Sequence, residues 1–248
     1  MQHLVRWGVI HVVRLLARIT AQVDVTGLQN VPATGPAILV TNHTNSIEPL
    51  LLYSIVPRHI TALSKVELWD SPILAPLMTG MGAIPVRRSE MDIDAIRQAL
   101  QVLHDGGMMG LAPEGTRTRT GRLIAGRPGS ALLALHAPEA VIVPTAVYGH
   151  AYFSQNLRRL RRTRIHVVFG QGFYTDSHGQ ALTHNLRQKV SDELMWQIAA
   201  LLPPENRGVY SNLDQASEHY LRFPPGTSSV LSAARAKGTS LTTGSGAP

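Results

Sequence analysis

Apolar positions along the chain fall into two kinds of pattern. Short apolar runs at residues 23–28, 36–41, 59–64, 82–86, 108–112, 140–148 and 165–169 predict β-strands. The AILV run within 36–41 is continuous rather than alternating, which marks a strand buried on both faces. Helical spacing predicts helices over 46–56, 66–78, 91–104, 130–136 and 180–202, the second of them broken by Pro72 and Pro76. The clearest is 91–104, where Ile93, Ile96, Ala99, Leu100 and Leu103 recur three and four residues apart before Asp105-Gly106-Gly107 ends the helix. Strands alternating with helices predict an α/β fold, a single domain whose mixed, largely buried β-sheet is flanked by helices.

The two ends depart from this pattern. Residues 1–20 are apolar but carry Arg6, Arg14 and Arg18, and the longest Arg-free stretch, 7–13, is far short of the ~20 residues of a spanning helix. No small-residue cleavage site follows an uninterrupted apolar region, which argues against a secretory signal. Apolar side chains cover more than half of the helical circumference with cations between them. This predicts an amphipathic helix lying in the membrane interface, with Trp7 at headgroup depth. The main domain is expected over 21–210. From Pro224 the chain is Gly, Ser, Thr, Ala and Pro with nothing periodic to bury, which predicts a disordered tail over 224–248.

Composition narrows the chemistry. There is no cysteine among the 248 residues, which excludes a disulfide scaffold, a thiolate metal site and a cysteine nucleophile. The 23 Lys and Arg against 16 Asp and Glu give a net charge of +7, and so call for an anionic partner. The five arginines at 158, 159, 161, 162 and 164, between two strands, suit an anionic lipid surface or an acidic carrier protein, although alone they describe only a solvated hairpin. No P-loop, GxSxG elbow or HExxH pair occurs. Sparse aromatics that do not interleave with the basic runs argue against a nucleic-acid groove.

Four blocks carry candidate chemistry. After the AILV strand comes TNHTNSIEP, with His43 five positions before Glu48. A neutral imidazole can take a hydroxyl proton while a carboxylate on its other nitrogen fixes the tautomer. On one continuous helix, side chains five residues apart point about 140° away from each other, so the two meet only if His43 lies in the turn and Glu48 in the first helical turn. Otherwise Glu48 merely complements the helix N-terminus. The second block, GAIPVRR, delivers Arg87 and Arg88 at a strand end, a placement suited to bidentate phosphate binding or to no more than a solvated charge pair. The third, LAPEGTRTRTG, offers Glu114, Gly115, Thr116 and Arg117 in a loop that can cradle a phosphate, with Glu114 on a substrate hydroxyl or holding Arg117 or Arg88. The fourth, VIVPTAV, is an apolar strand.

NHTNSIEP, GAIPVRR, APEGTRTRTG and VIVPTAV, in this order and at these separations, resemble the glycerolipid acyltransferase family, which includes 1-acylglycerol-3-phosphate acyltransferases. The resemblance runs from about residue 23 to 172. It implies His43 as the base, with Glu48 standing where the family has aspartate. It also implies that Arg88, Glu114, Gly115, Thr116 and Arg117 bind the acceptor's phosphate and glycerol. A peripheral protein on the cytoplasmic side of a membrane with anionic lipids is implied as well, taking acyl chains from acyl-CoA or acyl carrier protein as co-substrate, with a lysophospholipid acceptor and no metal or redox cofactor. The expected reaction has no acyl-enzyme, and backbone N–H groups near His43 or Gly115 are expected to receive the developing charge. The exchange of aspartate for glutamate adds a methylene and so leaves a rival, a membrane-binding module without full activity.

Overall fold

A computed structural model of the protein describes residues 2–45, 47–87, 92–118 and 120–242. Seven strands form one sheet: β1 (Ala21–Thr26), β2 (Ala37–Thr41), β3 (Ile60–Lys65), β4 (Ile84–Val86), β5 (Met108–Leu111), β6 (Val141–Tyr148) and β7 (Thr163–Phe169). Their order is β1-β7-β6-β2-β5-β3-β4. Every neighbouring pair is parallel except β6 with β7. Helices α1 (Gln2–Thr20), α2 (Ile47–Ile55), α3 (Leu74–Gly80), α4 (Ile93–His104), α5 (Ala131–His136), α6 (Phe153–Arg158), α7 (His184–Leu201) and α8 (Val230–Thr242) surround it, and a two-stranded ribbon pairs β8 (Tyr174–Thr175) with β9 (Leu221–Arg222). The mixed α/β fold with a preceding helix is as the sequence pattern predicts.

All five residues of β2 are buried. Ile38 and Val40 join a cluster with Leu103 of α4, Leu133 of α5 and Leu194 of α7, whereas Ala37 and Leu39 join another with Leu51 and Leu52 of α2. Helices thus cover both faces at the centre, which is why the AILV run cannot alternate. From β2 the chain crosses through α2 to β3, past β5; from β5 it crosses through α5 to β6, past β2. The two connections run in opposite directions on opposite faces, α2 on one and α5 on the other, and the carboxyl ends of β2 and β5 between them form a crevice.

Three stretches differ from the sequence expectation. The helix expected over 66–78 is a 3₁₀ turn (Val66–Asp70) followed by α3. The break falls around Pro72, while Pro76 sits in the first turn of α3, where no N–H is needed. Of the five arginines expected between two strands, Arg158 ends α6. Arg162 donates to the carbonyl of Ala21 and Arg164 pairs with Asp24 at 2.7 Å, so those two serve the β1–β7 edge. The tail expected to be disordered instead carries α8 against α7. Leu231 is completely buried there and Arg235 caps the carbonyls of Leu213 and Ala216, so this leucine and this guanidinium help hold the helix. The packed unit consequently continues past residue 210; residues 243–248 lie outside the described residues.

Helix α1 packs on α2, α3 and β1 yet leaves Leu4, Trp7, Leu15, Leu16 and Ile19 exposed. Among the described residues, no helix is long and apolar enough to cross a membrane.

Candidate active site

Because β2, β4, β5 and β6 run parallel, their carboxyl ends deliver His43, Arg87, Glu114 and His150 to one edge of the sheet. Asn42 fixes the junction. Beyond the last β2–β6 pair, its buried carboxamide donates to the carbonyl of Val147 at 2.9 Å and accepts the N–H of Val147 at 2.8 Å, extending the ladder by a side chain. The chain leaves β6 through Gly149 at φ +91, where a Cβ would meet the carbonyl of Arg164 at 2.5 Å. Only glycine fits this turn, and the turn sends His150 back toward the end of β2.

His43 lies in the turn and Glu48 in the first turn of α2, the one arrangement in which the two can meet. His43 Nδ1 lies 3.1 Å from Glu48 Oε2. Glu48 also accepts the backbone N–H groups of Thr44 and Asn45 at 2.8–2.9 Å and the Thr44 hydroxyl, so it caps the start of α2 as well as orienting the imidazole. Its side chain is 0% exposed, that of His43 is 19% exposed. Burial alone would raise the Glu48 carboxyl, but hydrogen bonds from His150, His43 and Thr44 outweigh it and hold the group at about 2.

Glu114 is also wholly buried. Its Oε2 accepts the N–H of His43 at 2.8 Å and its Oε1 accepts the N–H of Ile124 at 3.1 Å, while the N–H of Thr118 donates to the carbonyl of His43 at 2.9 Å. Two motif loops, at positions 71 residues apart, are thereby clasped together. Burial pushes Glu114 up to about 7 against the hydrogen bonds it receives. Gly115, at φ +65, lets the chain pass Arg127, whose Cδ would lie 2.8 Å from a Cβ there. Thr116 is half-buried and Arg117 exposed on the same loop. Arg88 lies outside the described residues.

His43, Gly115, Arg87 and Arg127 open onto a cavity of about 390 Å³ that continues over apolar Leu52, Ala62 and Ile96 between α2, β3 and α4. Sequence reasoning missed His150 and Arg127. His150 had the signal of a Gly-His step after a buried strand; Arg127 had none beyond its neighbouring glycines. Of the backbone N–H groups near His43 and Gly115, four are already engaged: His43 with Glu114, Thr44 and Asn45 with Glu48, Gly115 with the carbonyl of Ala112.

A buried carboxylate orienting a half-exposed histidine beside an apolar cavity is arranged for proton abstraction next to a lipid-like chain. The acyltransferase family model matches residues 22–148, about half of the chain, including the loops that carry His43, Arg87 and Glu114. The chain belongs to that family, with glycerolipid acyltransferases as its relatives. A 1-acyl-sn-glycerol-3-phosphate acyltransferase of Bacillus subtilis is 21% identical over 72% of the chain and 92% of its own length. One of Borreliella burgdorferi is 28% identical over 55% of each chain, and a chloroplastic one of Arabidopsis thaliana is 29% identical over 52% of this chain and 36% of its own. The chain thus spans from about a third to about half of the length of those last two relatives. The crystal structure of a 1-acyl-sn-glycerophosphate acyltransferase from Thermotoga maritima shares the fold with a TM-score of 0.60, at 20% identity over 78% of this chain and 77% of that one.

Proposed function

We propose that this acyltransferase moves a fatty acyl group from an acyl thioester to the free hydroxyl of a lysophosphatidate-like glycerolipid. One observation carries the reading: Nδ1 of His43 is held by Glu48 while the ring faces the apolar cavity, which leaves Nε2 for the hydroxyl proton. The alkoxide oxygen then attacks the thioester carbonyl directly. Collapse of the tetrahedral intermediate breaks the C–S bond, and the His43 imidazolium returns its proton to the departing thiolate. Glu48, ionised far below neutral pH, balances the imidazolium in the interval.

The cations on the cavity wall, Arg87 and Arg127, suit the acceptor phosphate, and Arg88 and Arg117 belong to the same two loops. The acyl chain takes the apolar part of the cavity, whose length sets chain preference. The protein sits peripherally on an anionic membrane surface through the exposed apolar side of α1 and through Arg158, Arg159 and Arg161, with Leu160, 94% exposed, among them. The donor is acyl-CoA or acyl carrier protein, and the thioester supplies the driving force without a cofactor. Incubation with lysophosphatidate and each donor, with mass-spectrometric detection of phosphatidate, tests the reading. No product with either donor, together with product from glycerol-3-phosphate or another lysophospholipid, would move the acceptor. No product from any of these would leave a membrane-binding module.

A further inference from the structure

A second histidine grips the carboxylate of the catalytic pair. His150 Nε2 lies 2.9 Å from Glu48 Oε1 and 2.7 Å from Thr44 Oγ1, on the oxygen that does not face His43. The ring is buried, at 6% side-chain exposure, and is absent from the cavity wall formed by the described residues, so it acts on substrate only through Glu48. Among the described residues, its Nδ1 is buried without a hydrogen-bond partner. A proton there would be a buried donor with nothing to receive it, so the ring proton is assigned to Nε2, where two oxygens accept it.

The geometry points to His150 as a positioning residue: its Nε2–H holds Oε1 of Glu48 so that Oε2 stays aimed at Nδ1 of His43. The extra methylene of glutamate, relative to aspartate, gives the carboxylate one more rotatable bond, and a shift of about 1 Å at a catalytic group costs on the order of a hundredfold in rate. His150 on one oxygen and His43 on the other, with the N–H groups of Thr44 and Asn45 between them, remove that freedom. The arrangement needs Asn42 and Gly149, since together they bring the end of β6 against the end of β2.

The inference rests on His43 and Glu48 being the catalytic pair, and the test separates the two. His150→Ala and His150→Gln are each made in the wild-type and Glu48→Gln backgrounds. His150→Ala is expected to lower kcat by tenfold to a hundredfold with KM for donor and acceptor unchanged. His150→Gln, whose amide can place an N–H near the position of Nε2, is expected to recover most of the loss. In the Glu48→Gln background His150→Ala is expected to cost less than threefold. An equal loss in both backgrounds, or a loss that Gln does not relieve, overturns the inference while leaving the catalytic pair intact. Should the wild type make no product, ring ¹⁵N spectra of the full chain, with His43 assigned by comparison with His43→Ala, still decide. His43 keeps its proton on Nδ1 in wild type and His150→Gln and loses that preference in His150→Ala; an unchanged His43 signal in His150→Ala refutes the positioning role.

Discussion

The Glu114 carboxylate accepts the backbone N–H of His43 at 2.8 Å. The glutamate of the APEGTR block is therefore turned inward, onto the main chain of the loop that carries His43, with Ile124 on its other oxygen. To the cavity wall the loop after β5 supplies Ala112, Pro113, Gly115 and Arg127 instead. Glu114→Ala is expected to remove the clasp and leave two part-buried N–H groups without this partner, destabilising the fold by about 2–4 kcal/mol. Chemical denaturation checks this, and a loss under 0.5 kcal/mol on the same scale contradicts a clasp.

The same residue makes stability depend on pH. Glu114 is raised from 4.5 to about 7, so the folded state binds its proton more tightly than the unfolded chain. Its contribution is complete below about 4.5 and is lost as the pH climbs through 7, with a slope of up to about 1.4 kcal/mol per pH unit. Glu48 works in the opposite sense, its contribution disappearing as pH falls from 4.5 toward 2, so the two windows do not overlap. Unfolding of wild type and Glu114→Gln between pH 4.5 and 8 should show the wild type losing ground as pH rises. A constant difference across that range contradicts the assignment.

Glu48→Asp shortens the side chain by one methylene and draws back the carboxylate oxygens that His43, His150 and the N–H groups of Thr44 and Asn45 all engage. It can no longer reach His43 and His150 together, and activity is expected to fall by about tenfold to a hundredfold. Steady-state kinetics checks this, and a rise in activity would favour the impaired-module reading instead.

Ala62 of β3 lines the apolar part of the cavity. Ala62→Phe is expected to fill that space, so that long-chain donors lose kcat/KM by tenfold or more while short-chain donors are spared. A series of donor chain lengths measures this; equal losses at every length would place the chain elsewhere.

Membrane contact is checked by flotation with vesicles containing anionic lipid. Trp7→Ala with Leu16→Ala, or Arg158, Arg159 and Arg161 changed together to Gln, is expected to weaken binding at least fivefold, at about 1 kcal/mol per basic residue near the surface. Unchanged binding for both sets excludes these surfaces.

Much of this was legible in the chain because strands buried on both faces write themselves as unbroken apolar runs, as in Ala37–Thr41, and because His43 and Glu48 are local partners within one turn. His150 was not legible: it is brought to Glu48 by strand order and by the Asn42 carboxamide across 105 residues, and neither leaves a periodic trace. Glu114 was visible as a residue of interest, but whether its carboxylate faces substrate or backbone depends on the contact between two loops. Helix α8 was not legible because the anchors seen among the described residues, buried Leu231 and Arg235, form no amphipathic repeat.

The most direct measurement is acyl transfer to lysophosphatidate by wild type and His43→Ala, with long-chain acyl-CoA and, separately, acyl carrier protein as donor, in detergent micelles. Phosphatidate formed by the wild type and reduced a hundredfold or more in a folded His43→Ala is the predicted result. Equal turnover by both proteins would contradict His43 as the base.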